Sequence, residues 1–578
     1  MSSRLRLGAL ASALLVLTAC TGVPRQSAPQ VVRTVDRGGN AQSAEPNISP
    51  NADAGPRDIV SDFITAGVAA DAGHSTSRQF LTNAAARKWQ DNTVTVVDET
   101  TVGVPSMVGS GARVEVIGHR VGQLDANGVF SPTLKGTGVG DQETFSFGLR
   151  QLSGQWRIDQ LQPGVLISQR QFQDNYLPRK LYFFDSGETT LVPDLRYSAL
   201  DGQALATWLL DQLLVGPRPE LAQSVLNEVP DQVGRPSVQL GDPIVVEMPG
   251  TAQLDAAGKN GLAAQLAYTL GQVAFAGGRL RLTDAGRTVG IPDAGGPIFS
   301  SVDFTFGGPD SAPPGVTPYF LRNGAVISGL DDKPVTGPLG QPVRKFSSVA
   351  LRRGNSGGLD VAGVSANTLR VGNVAKLADV RLPTGALSRP EWRPHADEVW
   401  VGVGMSGAIY RVGPGTAARA VSITSPVGGL SPGQVLALRF SSDGVRLAAV
   451  LRAANGTKTA WIGSVVTSGD DVRIDSFEPL TPARLSVTDV AWVDPTKLLI
   501  VAQAPGDETR VWQVQSDGSY LGPLSNVGLP GVPTSIAASS QQSPLVSASD
   551  SIWTQRGSGW TSFPGATPTA GVNPVYAP

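Results

Sequence analysis

The chain has 578 residues, with 46 Lys and Arg against 48 Asp and Glu and a formal net charge of −2. That balance lacks the cationic excess that nucleic-acid binding uses, so nucleic acid is not an expected partner. Charged residues are only 16%, while 68 Gly and 43 Pro fill the chain with turn formers; this predicts a β-rich architecture, and the length predicts three or four domains.

The first element lies at the N-terminus. Arg4 and Arg6 precede the apolar run Leu7–Thr18, which is too short to span a bilayer but suits the apolar region of a signal peptide. Leu17-Thr18-Ala19-Cys20 follows and holds the only cysteine of the chain. One thiol builds neither a disulfide nor a multi-ligand metal site. The four residues resemble the bacterial lipobox, which implies cleavage after Ala19, removal of residues 1–19, and a diacylglycerol thioether on Cys20. Two acyl chains anchor stably where one holds weakly, at about 0.8 kcal/mol per buried methylene. No later stretch reaches the ~18 unbroken apolar residues of a span. The expected location is therefore the extracytoplasmic face of the cell membrane, held by lipid. Residues 20–55, rich in Pro, Gly, Ser and Asn, read as a flexible linker behind that lipid.

Residues 56–170 predict an α+β domain. "PRDIVSDFITAGVA" places Ile59, Val60, Phe63, Ile64 and Val68 on one helical face, with Pro56 in the first turn. A second helix is predicted over "STSRQFLTNAAARKW", residues 75–89. Strands follow in "TVTVVDETTVG", "ARVEVIGHRVGQL" and "ETFSFGLRQLSGQWRIDQL", the last folded into a hairpin at Ser153-Gly154. Helices ahead of an antiparallel sheet resemble an NTF2-like cone. Its candidate acid–base residues, His74, His119, Asp125 and Glu143, match no known catalytic set.

Residues 181–292 predict a second α+β domain. Strands surround a turn at Ser186-Gly187; a helix carries Leu205, Trp208, Leu209 and Leu213 and stops at Gly216-Pro217. A further helix carries Leu262, Leu266, Leu270 and Val273. Tyr182-Phe183, Leu191-Val192-Pro193, Arg196, Leu213 to Pro217, Val245, Glu247, Thr269 and Gln272 resemble the GerMN domain of spore-germination lipoproteins. That resemblance implies a binding or assembly module.

From residue 295 to 578 the helical pattern vanishes and repeats appear. Leu351, Trp392, Phe440, Trp492 and Ala538 occupy equivalent places in five strand–turn–strand units, 41–52 residues apart, the period of a four-stranded propeller blade. Ser441-Ser442-Asp443-Gly444 resembles the turn of TolB-like propellers. A sixth blade is expected from "FSSVDFTF" (299–306) and "PYFLRNGAVIS" (318–328) joined to the C-terminus.

Chemistry-bearing motifs are few. Gly402 to Gly407 spells GxGxxG, but a strand rather than a helix follows, so a blade hairpin is expected and no dinucleotide. The three histidines, 74, 119 and 395, are scattered over different domains, so no metal or other cofactor is expected. "GNSGG" at Gly354 lacks the strand–turn–helix setting of a nucleophile elbow. Trp392, Trp400, Trp461, Trp492, Trp512, Trp553 and Trp560 are expected to pack blades. Lipobox, N-terminal domain, GerMN-like domain and propeller in this order resemble the actinobacterial LpqB lipoprotein family. The resemblance implies a non-enzymatic accessory partner of an MtrA–MtrB two-component system, touching the extracytoplasmic domain of the sensor kinase and bearing on envelope homeostasis and division. The alternative is a lipoprotein that binds or hydrolyses cell wall or glycan; hydrolysis requires two carboxylates about 5–9.5 Å apart in a cleft, expected at the propeller centre.

Overall fold

The computed structural model describes residues 48–577, except 70–71, 135–141, 232–233, 274–277, 308–315, 355–356, 415–416, 426–432 and 566–567. The expected signal peptide, Cys20 and most of the expected linker lie outside the described residues. No helix among those described is long and apolar enough to cross a membrane.

The N-terminal domain is a helix laid on a curved sheet. Pro56 opens the helix Pro56–Ala66, which buries Ile59, Val60 and Phe63. The sheet runs Gln155–Gln160, Gln142–Leu152, Gly111–Leu124, Val94–Val102, Val165–Ser168, antiparallel except where Val94–Val97 meets the last strand. The Ser153-Gly154 hairpin forms as read, both residues having positive φ (51° and 85°), as the right-handed twist of the flanking strands demands. The single helix expected over 75–89 does not form. It splits into Ser75–Arg78 and Asn83–Lys88, because Leu81 bridges to Ile158 and Thr82 donates its amide to the Ile158 carbonyl, 2.8 Å. The Thr82 hydroxyl then caps the second piece at the Ala85 amide. A tertiary strand contact outcompetes local helix propensity at that point.

In the second domain the strands Leu177–Asp185 and Leu191–Ser198 form a hairpin beside Val225–Leu226, and a second sheet orders Ser237–Gln239, Ile244–Glu247, Leu280–Asp284 and Arg287–Thr288. Helices Gly202–Val215 and Ala256–Leu270 share the core with both, burying Leu205, Leu209, Leu213, Leu262, Leu266 and Leu270. Gly216 ends the first at φ 94°, a conformation only glycine holds without strain. Thr269 and Gln272 prove to be helix-to-strand ties. The Thr269 hydroxyl accepts from the Tyr182 amide, and the Gln272 side chain brackets Lys180, accepting from its amide and donating to its carbonyl.

Among the described residues the propeller has six blades. Five have the strands Ser348–Arg353 to Leu377–Asp379, Glu391–Trp392 to Ala418–Ile423, Gln434–Phe440 to Asp471–Pro479, Ser486–Asp494 to Leu521–Pro523, and Pro533–Ser539 to Gly559–Ser562. The remaining blade joins Thr317–Arg322 and Ala325–Ser328 to the C-terminal strand Val572–Ala577, which pairs antiparallel with Thr317–Leu321 and becomes the innermost strand. The first and last strands of the propeller thereby share one blade and close the ring. The expectation for 299–306 was wrong: Phe299 bridges Leu280, Gly307 bridges Thr190, and Phe299 and Phe304 fill the core of the second domain. Their aromatic rings find a deeper apolar site there than a blade edge offers.

A buried polar junction binds the three domains together. Asp194 accepts from Arg196 Nη2 and from the Arg218 amide, each at 2.8 Å. Arg196 and Arg218 donate in turn to the carbonyls of Asn127 and Phe130 in the N-terminal domain, both at 3.1 Å. From the propeller, Arg446 pairs with Asp443 at 3.0 Å and donates to the Pro193 carbonyl. Tyr197 hydrogen-bonds Ser519, and its ring packs 5.1 Å from Phe172. Burial pushes the Tyr197 hydroxyl and the Asp517 carboxyl up and the Arg446 guanidinium down.

Candidate functional site

The innermost strands of the propeller enclose a cavity of about 630 Å³. Leu351, Trp392, Phe440, Trp492 and Ala538, the five repeat anchors, all line it, and Val575 and Tyr576 of the closing strand complete the wall. The repeat phase thus sets which residues face the axis, since side chains on a strand alternate between faces.

One wall of the cavity is ionic. Arg389 donates to Asp489 at 3.1 Å and to the Pro574 carbonyl at 2.6 Å. Arg439 reaches Glu391 through Nη1 at 3.4 Å, while its Nη2 stands 3.5 Å from Asp489 Oδ1. Asp489 also accepts the amides of Val490 and Ile536 at 3.0 and 2.9 Å. Five blades meet through these four side chains and their backbone partners. Burial pushes the Glu391 carboxyl up to about 7, against the pull of Arg439 and Arg389, and lowers Arg389 to about 10. Nearby, Arg352 lies 3.9 Å over the Trp392 ring and pairs with Asp360 at 3.1 Å and with Asp397.

The motifs settle as follows. Gly402–Gly407 is a hairpin between Val399–Val403 and Ala408–Val412, with Gly404 and Gly407 at φ 73°. Gly354 opens a blade turn whose residues 355–356 are outside the described set. His74 packs against Trp89, and His119 lies 3.5 and 3.6 Å from Asp98 and Glu99. Asp125 caps a turn at the Asn127 and Val129 amides, and Glu143 forms a fork with Arg120 at 2.6 and 2.7 Å. These residues do not converge. His395, exposed in its turn, meets the Ser442 carbonyl at 3.2 Å on the cavity rim. Among the described residues no group of three or more His, Cys, Asp or Glu could hold a metal ion. Trp400, Trp492 and Trp560 are buried, and the other four blade tryptophans are partly buried.

Sequence reading missed the ionic wall. Its signal was nonetheless in the repeat alignment. Arg389 and Asp489 each stand three residues before their anchors, Trp392 and Trp492, and Glu391 and Arg439 stand one before theirs. Charges recurring in register on apolar inner strands are expensive unless paired across the axis.

Comparison with known proteins agrees with this architecture. Residues 49–173 match the family model "Lipoprotein LpqB, N-terminal domain", 180–282 match "Sporulation and spore germination", and 325–577 match "Lipoprotein LpqB beta-propeller domain". Lipoprotein LpqB of Rhodococcus opacus is 28% identical over 587 residues, covering 93% of this chain and 92% of that protein. Lipoprotein LpqB of Mycobacterium tuberculosis is 29% identical over 572 residues, covering 92% and 89%. Among solved structures, TolB from Acinetobacter baumannii is 13% identical with a TM-score of 0.30, over 46% of this chain and 66% of that one. Two LpqB-specific domains flanking a germination-type domain, in one order along almost the whole chain, make this protein a member of the lipoprotein LpqB family.

Proposed function

We propose that this chain is a membrane-tethered accessory lipoprotein that contacts the extracytoplasmic domain of a sensor kinase of the MtrB type and modulates its signalling without catalysing a reaction. Cys20 carries the lipid, and the partner's identity rests on family resemblance. The observation that carries the reading is the polar junction. Asp194, Arg196, Arg218 and Arg446 tie the N-terminal, germination-type and propeller domains into one body, which suits a scaffold presenting fixed surfaces. The hydrolase reading gains no support at the propeller centre. Asp489 Oδ2 accepts from Arg389 and the Ile536 amide and Oδ1 from the Val490 amide, so Asp489 is already engaged and is a poor partner for Glu391 in a carboxylate pair.

Tethering gives such a body its effect. Confinement of both partners to one surface raises their effective concentration toward the millimolar range, so a contact of about 1,200 Å² or less is occupied there while staying weak in solution. The test is to express the chain with Cys20→Ala at native abundance, exported and folded, and to measure kinase output beside in-cell crosslinking of the native protein. Loss of output close to that of a gene deletion, with the kinase captured by the native protein, is expected. Full output from the untethered form refutes the proximity argument.

A further inference from the structure

The cavity at the propeller centre differs from a structural void in three respects. Its volume, about 630 Å³, falls within the roughly 300–1,000 Å³ of small-molecule sites. Its wall is divided in character: Trp392, Phe440 and Trp492 offer aromatic surface, and Arg389 and Arg439 offer fixed cations. Third, the cations are held in place: Arg439 is only 8% exposed, with its Nη2 shielded from solvent 3.5 Å from Asp489 Oδ1, and Arg389 pairs with Asp489 at 3.1 Å.

We propose that this cavity binds a small amphipathic carboxylate, its charged end against Arg439 and its apolar body over the Trp392 and Trp492 surfaces. A guanidinium presents a planar fork of donors that matches a carboxylate better than any neutral acceptor. The indole N–H groups of Trp392 and Trp492 are already spent on the Ala350 and Arg439 carbonyls, and Arg352 covers one face of Trp392, so what these rings contribute to the cavity wall is their remaining apolar surface. Glu391 sits on the same guanidinium and competes with the ligand for it. The proposal does not depend on the kinase reading: a small ligand can occupy the propeller whatever protein the surface meets.

The test uses the full chain with Cys20→Ala, which keeps every described residue, and two isosteric probes, 1-naphthylacetate and its neutral amide 1-naphthylacetamide. Calorimetric titration near pH 8 is expected to show one saturable site for the acid, at least about tenfold tighter than for the amide. Ala538→Phe, at a half-buried wall position, narrows the cavity by a phenyl ring without removing any of its hydrogen-bonding groups and is expected to weaken binding at least about tenfold. Glu391→Gln removes the competing charge and is expected to tighten the acid several-fold while leaving the amide unchanged. Equal binding of acid and amide, undiminished binding to the Ala538→Phe chain, or no saturable heat up to about 10 mM acid overturns the proposal.

Discussion

Replacing Glu391 by Gln should make the propeller more stable above neutral pH, and by a calculable amount. The carboxyl is about three-quarters buried beside Arg439, Arg389 and Asp489. Burial lifts its pKa from 4.5 to about 7, the arginines pulling the other way and Asp489 adding to the rise. A folded-state pKa above the unfolded value means that the protonated form is favoured by the fold. The stability it contributes is complete below about pH 4.5 and is lost as pH rises through about 7. At about 1.4 kcal/mol per pH unit, the loss is at most about 3 kcal/mol by pH 8. Glutamine does not titrate, so the variant lacks this slope. Groups common to both chains, including Asp489 and the arginines, largely cancel in the difference. Thermal unfolding followed by tryptophan fluorescence at a series of pH values between about 5 and 8 reads this directly. About 2.5 kcal/mol of that loss falls inside this window, so the gap in Tm, variant minus native, should widen by roughly 5–10 °C toward the alkaline end. Parallel curves would show that Glu391 is solvated enough to ionise normally, and would refute the burial argument.

Three other outcomes follow from the packing and the lipobox. Trp492→Ala should destabilise the propeller by roughly 3–5 kcal/mol, because the ring is 7% exposed and its N–H donates to the Arg439 carbonyl at 2.9 Å; chemical denaturation measures it, and a change below about 1 kcal/mol would mark the ring as an exposed platform. Arg446→Met should cost roughly 3–5 kcal/mol by leaving Asp443 buried without its partner and should also release the Pro193 carbonyl. Calorimetry should then resolve separate domain transitions, where a single unchanged transition would count against a shared junction. Cys20→Ala should abolish labelling by a fatty-acid probe and cleavage after Ala19; labelling equal to the native chain would remove the anchor assignment.

Local signals were legible wherever one short segment decides its own conformation. The Ser153-Gly154 hairpin, the Gly216 helix stop and the Gly402–Gly407 hairpin all depend on neighbours within a few residues, and their residue types suffice to specify them. The helix expected over 75–89 failed for the converse reason. Its break at Leu81-Thr82 is imposed by Ile158, over seventy residues away, and no periodicity within the segment records that contact.

Repetition carried the sequence further than propensity could. Five anchors at blade spacing determined the architecture of residues 317–577 and, through strand alternation, which side chains face the axis. The lipobox resemblance likewise rests on four adjacent residues, Leu17 to Cys20, and needs no fold to be seen. Tertiary structure alone decided the rest. Val572–Ala577 closes the ring against Thr317–Leu321, and Phe299 and Phe304 leave the propeller for the germination-type core. Arg389, Glu391, Arg439 and Asp489 become one cluster only when blades far apart in sequence converge on an axis. The physical reason is the same in each case. Backbone preference and side-chain periodicity are written within a few residues, whereas burial, and the pairing of charge that burial enforces, depend on which distant segments arrive at the same place.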